Sequence, residues 1–356
     1  MYILSIETSC DETAISIVET KNKTIKVLSN IISSQIKLHA QWGGVVPNLA
    51  AREHLKNILP VLKKALKKAK KNLPEIDLIS VTHGPGLIPA LLIGTSTAKT
   101  LAYYWQKPLL GIHHIEGHIY ANFLDTKNCE IKFPLLALVV SGGHTQLILM
   151  SDHFQYQIIG ETQDDAVGEA FDKVARILNL GYPGGPIISQ KAQEFSKRKE
   201  LSQHSIEFPR PMLHSNNFNF SFSGLKTAVL YQVKKLEKEN VSISSLQPLL
   251  AYKFQEAAVD VLVQKTLKAL RKYSVKSFLL AGGVSANKYL RKNLKEKISQ
   301  EFPSIRIFFP SLQYTGDNAS MIASAAFYRW KSLPTSKRKT LFQNWKKLKT
   351  EANLKL

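Results

Sequence analysis

An α/β protein built from two duplicated halves is the fold class the sequence predicts, and three observations predict it. Each half opens on a β-hairpin, with strand-like runs at Tyr2 to Glu7 and Thr13 to Glu19, then again at Phe133 to Val140 and Thr145 to Met150. Each half then passes into alternating strands and helices, the pattern of a mixed sheet covered by helices. A chain of 356 residues, 44% hydrophobic, suits two domains of ordinary size better than one core. The expected divisions are 1–130 for the first domain, 131–330 for the second with a helical insertion, and 331–356 for a basic tail. The two hairpin tips would face each other across a central cleft, since ligands in α/β sheets favour strand ends and helix starts.

Taken in order, the first hairpin has the polar tip Thr8-Ser9-Cys10-Asp11-Glu12, and Ile25 to Ile32 supplies a third strand. Gly43-Gly44 breaks the chain before a helix from Pro47 to about Lys71. Its apolar face is read as Leu55, Ile58, Leu59, Leu62, Leu66 and Ala69, with Lys63, Lys64, Lys67, Lys68, Lys70 and Lys71 covering the other side. Asp77 to Thr82 is a buried strand ended by Gly84-Pro85-Gly86. A helix from Pro89 to Tyr104, a strand at Leu109 to Ile112 and a helix from Ile112 to Phe123 complete the half.

In the second half Ser141-Gly142-Gly143-His144 forms the hairpin tip, with a third strand at Ile158 to Gly160. Asp164-Asp165 are suited to cap a helix through Leu180, which Gly181 would stop in the left-handed conformation. Gln190 to Gln203 is a polar helix with frayed ends, and Phe208 to Gly224 is irregular and aromatic. Helices run from Leu225 to Lys238 and from Leu246 to Tyr273. Ser277 to Ala281 and Ile305 to Phe309 are strands, with helices opening at Asn287 and Asp317.

The net charge of +21 and the pI near 9.7 point to a polyanionic partner such as RNA or DNA, against the alternative of lysines that merely solvate surfaces. Two cysteines, Cys10 and Cys129, cannot build a disulfide framework, so a reducing compartment is expected. The chain opens directly into a strand, and nowhere runs eighteen consecutive apolar residues, so a soluble cytoplasmic protein with no membrane role is expected.

Several stretches carry chemistry. On one helix His114 and His118 stand four apart and project from one face, the spacing at which two imidazoles share a cation with a carboxylate from elsewhere. The alternative is a pair of ordinary histidines. Asp317 is placed as an N-cap whose carboxylate could still face a metal. Ser141-Gly142-Gly143 presents backbone amides to a phosphate or carboxylate, or is a plain tight turn. Ala281-Gly282-Gly283 running into Asn287 lets a flat ligand lie against the backbone, or Asn287 is only a cap. Asp172 suits ribose hydroxyls, or pairs with Arg176. Asp11 and Glu12 repel each other at a hairpin tip, which suits a ligand or cation as well as plain solvation. A metalloprotease is excluded, because Ile115 stands where His-Glu-x-x-His needs its glutamate and Gly117 spoils the inverted motif.

Taken together, Ile6-Glu7-Thr8-Ser9-Cys10-Asp11-Glu12-Thr13, Gly43-Gly44-Val45-Val46-Pro47, Gly84-Pro85-Gly86-Leu87 and His113 to His118 match a known pattern. So do Val140 to Gln146, Gly168 to Gly185, Phe222 to Thr227, Gly282 to Asn287 and Thr315 to Asn318, in order along residues 1 to 330. The chain resembles the tRNA N6-adenosine threonylcarbamoyltransferase family, also long labelled O-sialoglycoprotein endopeptidase, and its His-x3-His form with His113 and Glu116 is similar to the bacterial branch. The resemblance implies an actin-like ATPase (ASKHA) fold and an Fe²⁺ in each chain held by His114, His118 and Asp317. It implies a substrate site at Val139, Val140, Ser141, Gly142, Gly143, Asp172, Gly185 and Asn287. The implied reaction moves the threonylcarbamoyl group of threonylcarbamoyl-AMP to N6 of the adenosine 3′ to the anticodon in tRNAs reading ANN codons. Asp11 or Glu12 would accept the N6 proton or orient the amine. A smaller paralogous subunit and a small ATPase would be partners. Val139 stands where archaeal members carry a tyrosine ligand, and Asn48 where a glutamate is expected. A sugar kinase or actin-like ATPase, and a non-catalytic assembly protein, are the competing readings.

Overall fold

The strand β1 (Tyr2–Glu7) lies at the centre of the first sheet because it is apolar on both faces; Ile3, Leu4 and Ile6 are fully buried. In the computed structural model, which describes residues 1–22, 24–124, 130–197 and 206–356, β1 pairs antiparallel with β2 (Glu12–Lys21). β2 pairs with β3 (Thr24–Ser34), and on its other side β1 runs parallel to β4 (Leu78–Gly84), followed by β5 (Leu109–His113). The order is β3-β2-β1-β4-β5. Helices α1 (Ile36–Ala40), α2 (Pro47–Ala69), α3 (Ile88–Tyr104) and α4 (His114–Tyr120) accompany this sheet.

The second sheet repeats that plan. Its central strand β6 (Leu135–Val140) is buried along its whole length and pairs antiparallel with β7 (Thr145–Asp152), which pairs with β8 (Gln155–Glu161). On the other side lie β9 (Ser277–Ala281) and β10 (Arg306–Phe308), both parallel to β6. The order β10-β9-β6-β7-β8 is the first sheet's order with each strand replaced by its counterpart, so the duplication read from the hairpins is present in the topology. The helices here are α5 (Val167–Ile177), α6 (Gly184–Lys197), α7 (Ser223–Lys238), α8 (Ile243–Lys272) and α9 (Lys288–Glu301). Phe208, Phe218, Phe220 and Phe222, from the irregular aromatic stretch, join the core built on α5, α7 and α8.

The chain divides into two compact units, Met1–Ile131 with Pro310–Leu356, and Lys132–Phe309. This differs from the expected divisions 1–130, 131–330 and 331–356. Helix α10 (Ala319–Ser332) packs on β1, β2 and α4 of the first unit through its buried face of Met321, Ile322 and Ala325. Residues 331–356 form α11 (Thr335–Thr340) and α12 (Asn344–Lys347), and Leu348 enters the core of the same unit.

Local expectations also shift. On α2 the buried face is His54, Ile58, Val61, Leu62 and Ala65, while Leu55 and Leu59 are 65% and 58% exposed. The helix is rolled toward His54, whose ring bonds the Thr13 hydroxyl at 2.8 Å and the Cys10 carbonyl at 2.9 Å, so a polar residue sits inside at little cost. Asp164 and Asp165 do not cap α5. Asp164 takes the backbone N–H groups of Phe222 and Ser223 at the start of α7, and Asp165 pairs with Lys173 and Lys226. The left-handed stop of α5 is Asn179 (φ 54°), with Leu180 N–H returning to the Ala175 carbonyl. Cys129 and the far end of the Gln190 to Gln203 helix lie outside the described residues. Among the described residues no helix is long and apolar enough to cross a membrane.

Candidate functional site

The first unit brings three of the singled-out side chains together. Helix α4 begins where β5 ends, and His113 caps it by accepting the Ile115 N–H at 3.1 Å. One turn separates His114 from His118, and their rings lie 4.7 Å apart, nearly perpendicular. Asp317 comes from the turn before α10, not from a second lobe as expected. It is not the cap of that helix; Asn318 is, accepting the Met321 N–H at 3.0 Å, so the Asp317 carboxylate is left to face the imidazoles. Its Oδ1 is 3.2 Å from His118 Nε2 and 3.6 Å from His114 Nε2. One ligand atom from each residue lies within 4.8 Å of the others.

The two helices are held in register. Glu116 forms an ion pair with Arg329 of α10, and the Ser324 hydroxyl donates to the Tyr120 carbonyl at 2.8 Å. Gly117 lets them meet: a side-chain carbon there would stand 2.7 Å from Ile322 Cδ1.

These residues fit a cation. Both ring nitrogens of His118 are buried without a hydrogen bond, although Nε2 is close to Asp317, so the pair is near but not aligned as donor and acceptor. Two imidazoles and a carboxylate are the donor set of open non-haem iron sites. A second carboxylate supports the set from behind. Glu7, at the end of β1 and fully buried, lies 3.2 Å from His114 Nδ1 and also accepts from the Thr82 hydroxyl and the Ser9 N–H. Ser9 Oγ lies 3.2 Å from the same nitrogen. A carboxylate behind a ligating histidine fixes its tautomer and raises its basicity. Burial opposes charge on His114, but Asp317 and Glu7 outweigh it and push its pKa up to about 9; burial likewise raises Glu7, and His114 overrides it and holds the carboxyl below its ordinary value. Sequence reasoning singled out no role for Glu7; its signal was an acid closing an otherwise buried strand.

Asp11 and Glu12 stand at the tip of this hairpin. Asp11 is buried, and Glu12 accepts from Ser34 Oγ at 3.0 Å. Burial, the Asp11 charge and then the Asp317 charge push the Glu12 carboxyl up to about 10.

The remaining site residues belong to the second unit. A cavity of about 800 Å³ is lined there by Gly142, Asp172, Gly185 and Asn287, with Gly168 and Gly283. Its size is that of a small-molecule site. Nothing stands within 4 Å of where side chains would begin at Gly142, Gly185 or Gly283, so their backbone is open to a ligand. Just before Gly283, Gly282 packs on β6: its φ of +88° and the Val140 carbonyl, 2.3 Å from where a side chain would start, admit glycine alone. Asp172 accepts the Gly184 N–H at 2.7 Å, which ties α5 to α6 at the cavity wall. Asn287 caps α9 through Leu290 N–H, and its amide donates to Ser189 Oγ and Gln255 Oε1. Val139 and Val140 are wholly buried in β6, Ser141 is buried at the turn, and Gly143 is exposed. Gln255, Tyr252 and Ser189 line the cavity without any signal short of the fold, since on α8 and α6 they read as helix surface.

The chain matches over residues 26–324 the sequence profile described as tRNA N6-adenosine threonylcarbamoyltransferase. The curated protein of that name from Persephonella marina is 49% identical over 341 residues, covering 94% of this chain and 92% of the relative. That from Thermosipho africanus is 48% identical, covering 93% and 95%. This chain belongs to the tRNA N6-adenosine threonylcarbamoyltransferase family. Members of the family are transferases, and the fold agrees with solved structures at far lower identity. HypF of T. kodakarensis superposes with a TM-score of 0.59 at 14% identity, over 92% of this chain and 48% of that one. Full-length HypF in a phosphate- and nucleotide-bound form gives 0.58 at 12% identity, over 94% and 47%. The α/β, actin-like ATPase fold expected for the family is the fold found.

Proposed function

We propose that this chain transfers the threonylcarbamoyl group of threonylcarbamoyl-AMP to N6 of the adenosine 3′ to the anticodon in tRNAs reading ANN codons. The observation that carries the chemistry is the triad of buried His114 and His118 with half-buried Asp317, His118 being left without a hydrogen bond. In this reading the triad holds one Fe²⁺ per chain. When bound, that ion supplies a fixed positive charge that polarises or positions the acyl adenylate.

The residues of the chain do the rest. The adenylate arrives activated, so orientation and charge stabilisation are what the protein must provide. In the cavity of the second unit the open backbone at Gly142 and Gly143 receives the phosphate. Asp172 and the Asn287 edge receive the nucleoside, in a pocket whose wall the Asp172–Gly184 bond keeps in place. In the first unit Asp11 or Glu12 acts on the amine. Burial and then the Asp11 and Asp317 charges hold the Glu12 carboxyl well above its ordinary value, so one acid of this pair can donate to and orient the adenosine while the other accepts from the amine.

The charge of +21 supports binding of tRNA phosphates. A cytoplasmic location agrees with tRNA as substrate. Exposed Leu55 and Leu59, one turn apart on α2, offer apolar surface to the smaller paralogous subunit, with a small ATPase as the further partner.

The test is incubation with threonylcarbamoyl-AMP and unmodified tRNA, followed by mass analysis of the nucleosides. Threonylcarbamoyl-adenosine should form, at a rate that falls steeply as salt rises. No modified nucleoside, with the partner subunits supplied, would refute the assignment; labelled γ-phosphate appearing on an acceptor would make the chain a kinase instead.

A further inference from the structure

Residues 344–354 form a strap across the first unit, and the strap reaches the helix that bears the histidines. Asn344 Nδ2 donates to the Leu109 carbonyl at 2.9 Å, and the Trp345 ring lies 4.6 Å from that of Tyr103. Leu348 is buried over β5, where Gly111 leaves the room its side chain takes. The chain then follows the end of β4. Glu351 N–H donates to the His83 carbonyl at 2.9 Å, and Gly86 N–H donates to the Ala352 carbonyl at 3.1 Å. The hydroxyls of Thr350 and Thr95 meet at 3.0 Å.

Its last contact is with His113. The Leu354 carbonyl lies 3.0 Å from His113 Nε2, and a carbonyl can only accept, so the proton sits on Nε2. Nδ1 is thereby left as an acceptor, and it receives the Ile115 N–H at the start of α4. One ring therefore links the strap to the cap of the seven-residue helix carrying His114 and His118. A second route runs through Gly86, which leaves no room for a side chain against Ser9, whose hydroxyl lies beside His114. Leu87 N–H holds the Ser9 carbonyl at 2.8 Å.

We propose that residues 344–354 position the cation ligands: the strap fixes the tautomer of His113 and the loop behind Ser9, and through both it sets the orientation of His114. His113 is thus a positioning residue, and the strap a part of the centre that sequence order hides. The inference rests on the reading of His114, His118 and Asp317 as ligands.

Cobalt is the probe, added to the metal-free full chain and followed by its visible absorption, alongside amide hydrogen exchange over residues 113–120. His113→Asn keeps an acceptor where Nδ1 stood and so keeps the cap, but its shorter side chain cannot reach Leu354. Leu348→Asp loosens the strap by placing a carboxylate in an apolar site. Val61→Ala, on the buried face of α2, weakens the same core at a residue that makes none of the strap contacts named above. The expected result is cobalt bound by the unsubstituted chain, affinity lower by about tenfold or more in His113→Asn and Leu348→Asp with faster exchange in α4, and no change in Val61→Ala. Wild-type affinity in either strap variant overturns the proposal and leaves the ligand reading standing. So does an equal loss in Val61→Ala, which would make the effect a general loosening. An unsubstituted chain that takes up no cobalt refutes the ligand reading itself, and the strap's role with it.

Discussion

A buried polar side chain in this protein is, with few exceptions, one that has found a partner, and the exceptions carry the argument. Glu7 is fully buried yet answers to Thr82, Ser9 and His114, whereas both nitrogens of His118 have no hydrogen bond. Lys265 in the second unit is the opposite kind of case. It is nearly inaccessible, donates to Ser215 Oγ at 2.7 Å and to the Asn217 carbonyl at 2.9 Å, and has no acid to pair with in those contacts. Burial, then the neighbouring charge of Lys268, depress its pKa from 10.5 to about 8. Between those two values the unfolded chain binds more protons than the folded one, so stability should rise with pH over that window and be lower below it. Urea midpoints from pH 7.5 to 10.5, followed by far-ultraviolet circular dichroism, check this. Trp42, Trp105, Trp330 and Trp345 all belong to the first unit, so tryptophan fluorescence reads that unit separately from the one holding Lys265. Lys265→Met should flatten the rise in the second unit; a slope unchanged by the substitution would mean the amine does not titrate there.

At the scale of elements, α4 and α10 are the pair on which the site depends, and their contact is close because Gly117 carries no side chain. Gly117→Ala would press its methyl on the Ile322 and Met321 side chains and should cost about 1–3 kcal/mol in the first unit, as overpacking of a filled core does. Denaturant unfolding read by tryptophan fluorescence measures it; wild-type stability would show that Ile322 and Met321 have room to yield. The histidine spacing made α4 legible in the sequence, since four residues make one helical turn. What could not be read was which residue caps each helix. Asp317 and Asn318 are both good caps, and only the structure shows that Asn318 takes the role and frees its neighbour. Asp164 likewise caps a helix nearly sixty residues further on, a choice that propensity does not encode.

For the whole molecule, the duplication was legible because a hairpin followed by strand–helix alternation is a local pattern that occurs twice. The division into units was not, because the chain leaves the first unit after Ile131 and returns to it at Pro310. That return brings Asp317 to the histidines and residues 344–354 to β4 and β5, so a stretch that reads as a basic tail is structural. The cavity residues on α6 and α8 were hidden for the same reason: Ser189 and Gln255 meet Asn287 only once distant helices pack together. The account depends most on the triad, and metal content tests it directly. Chains purified without oxygen and loaded with Fe²⁺ should hold one ion each after gel filtration, and His114→Ala, His118→Ala and Asp317→Ala should each lose it. An Asp317→Ala chain that still held iron stoichiometrically would contradict the account.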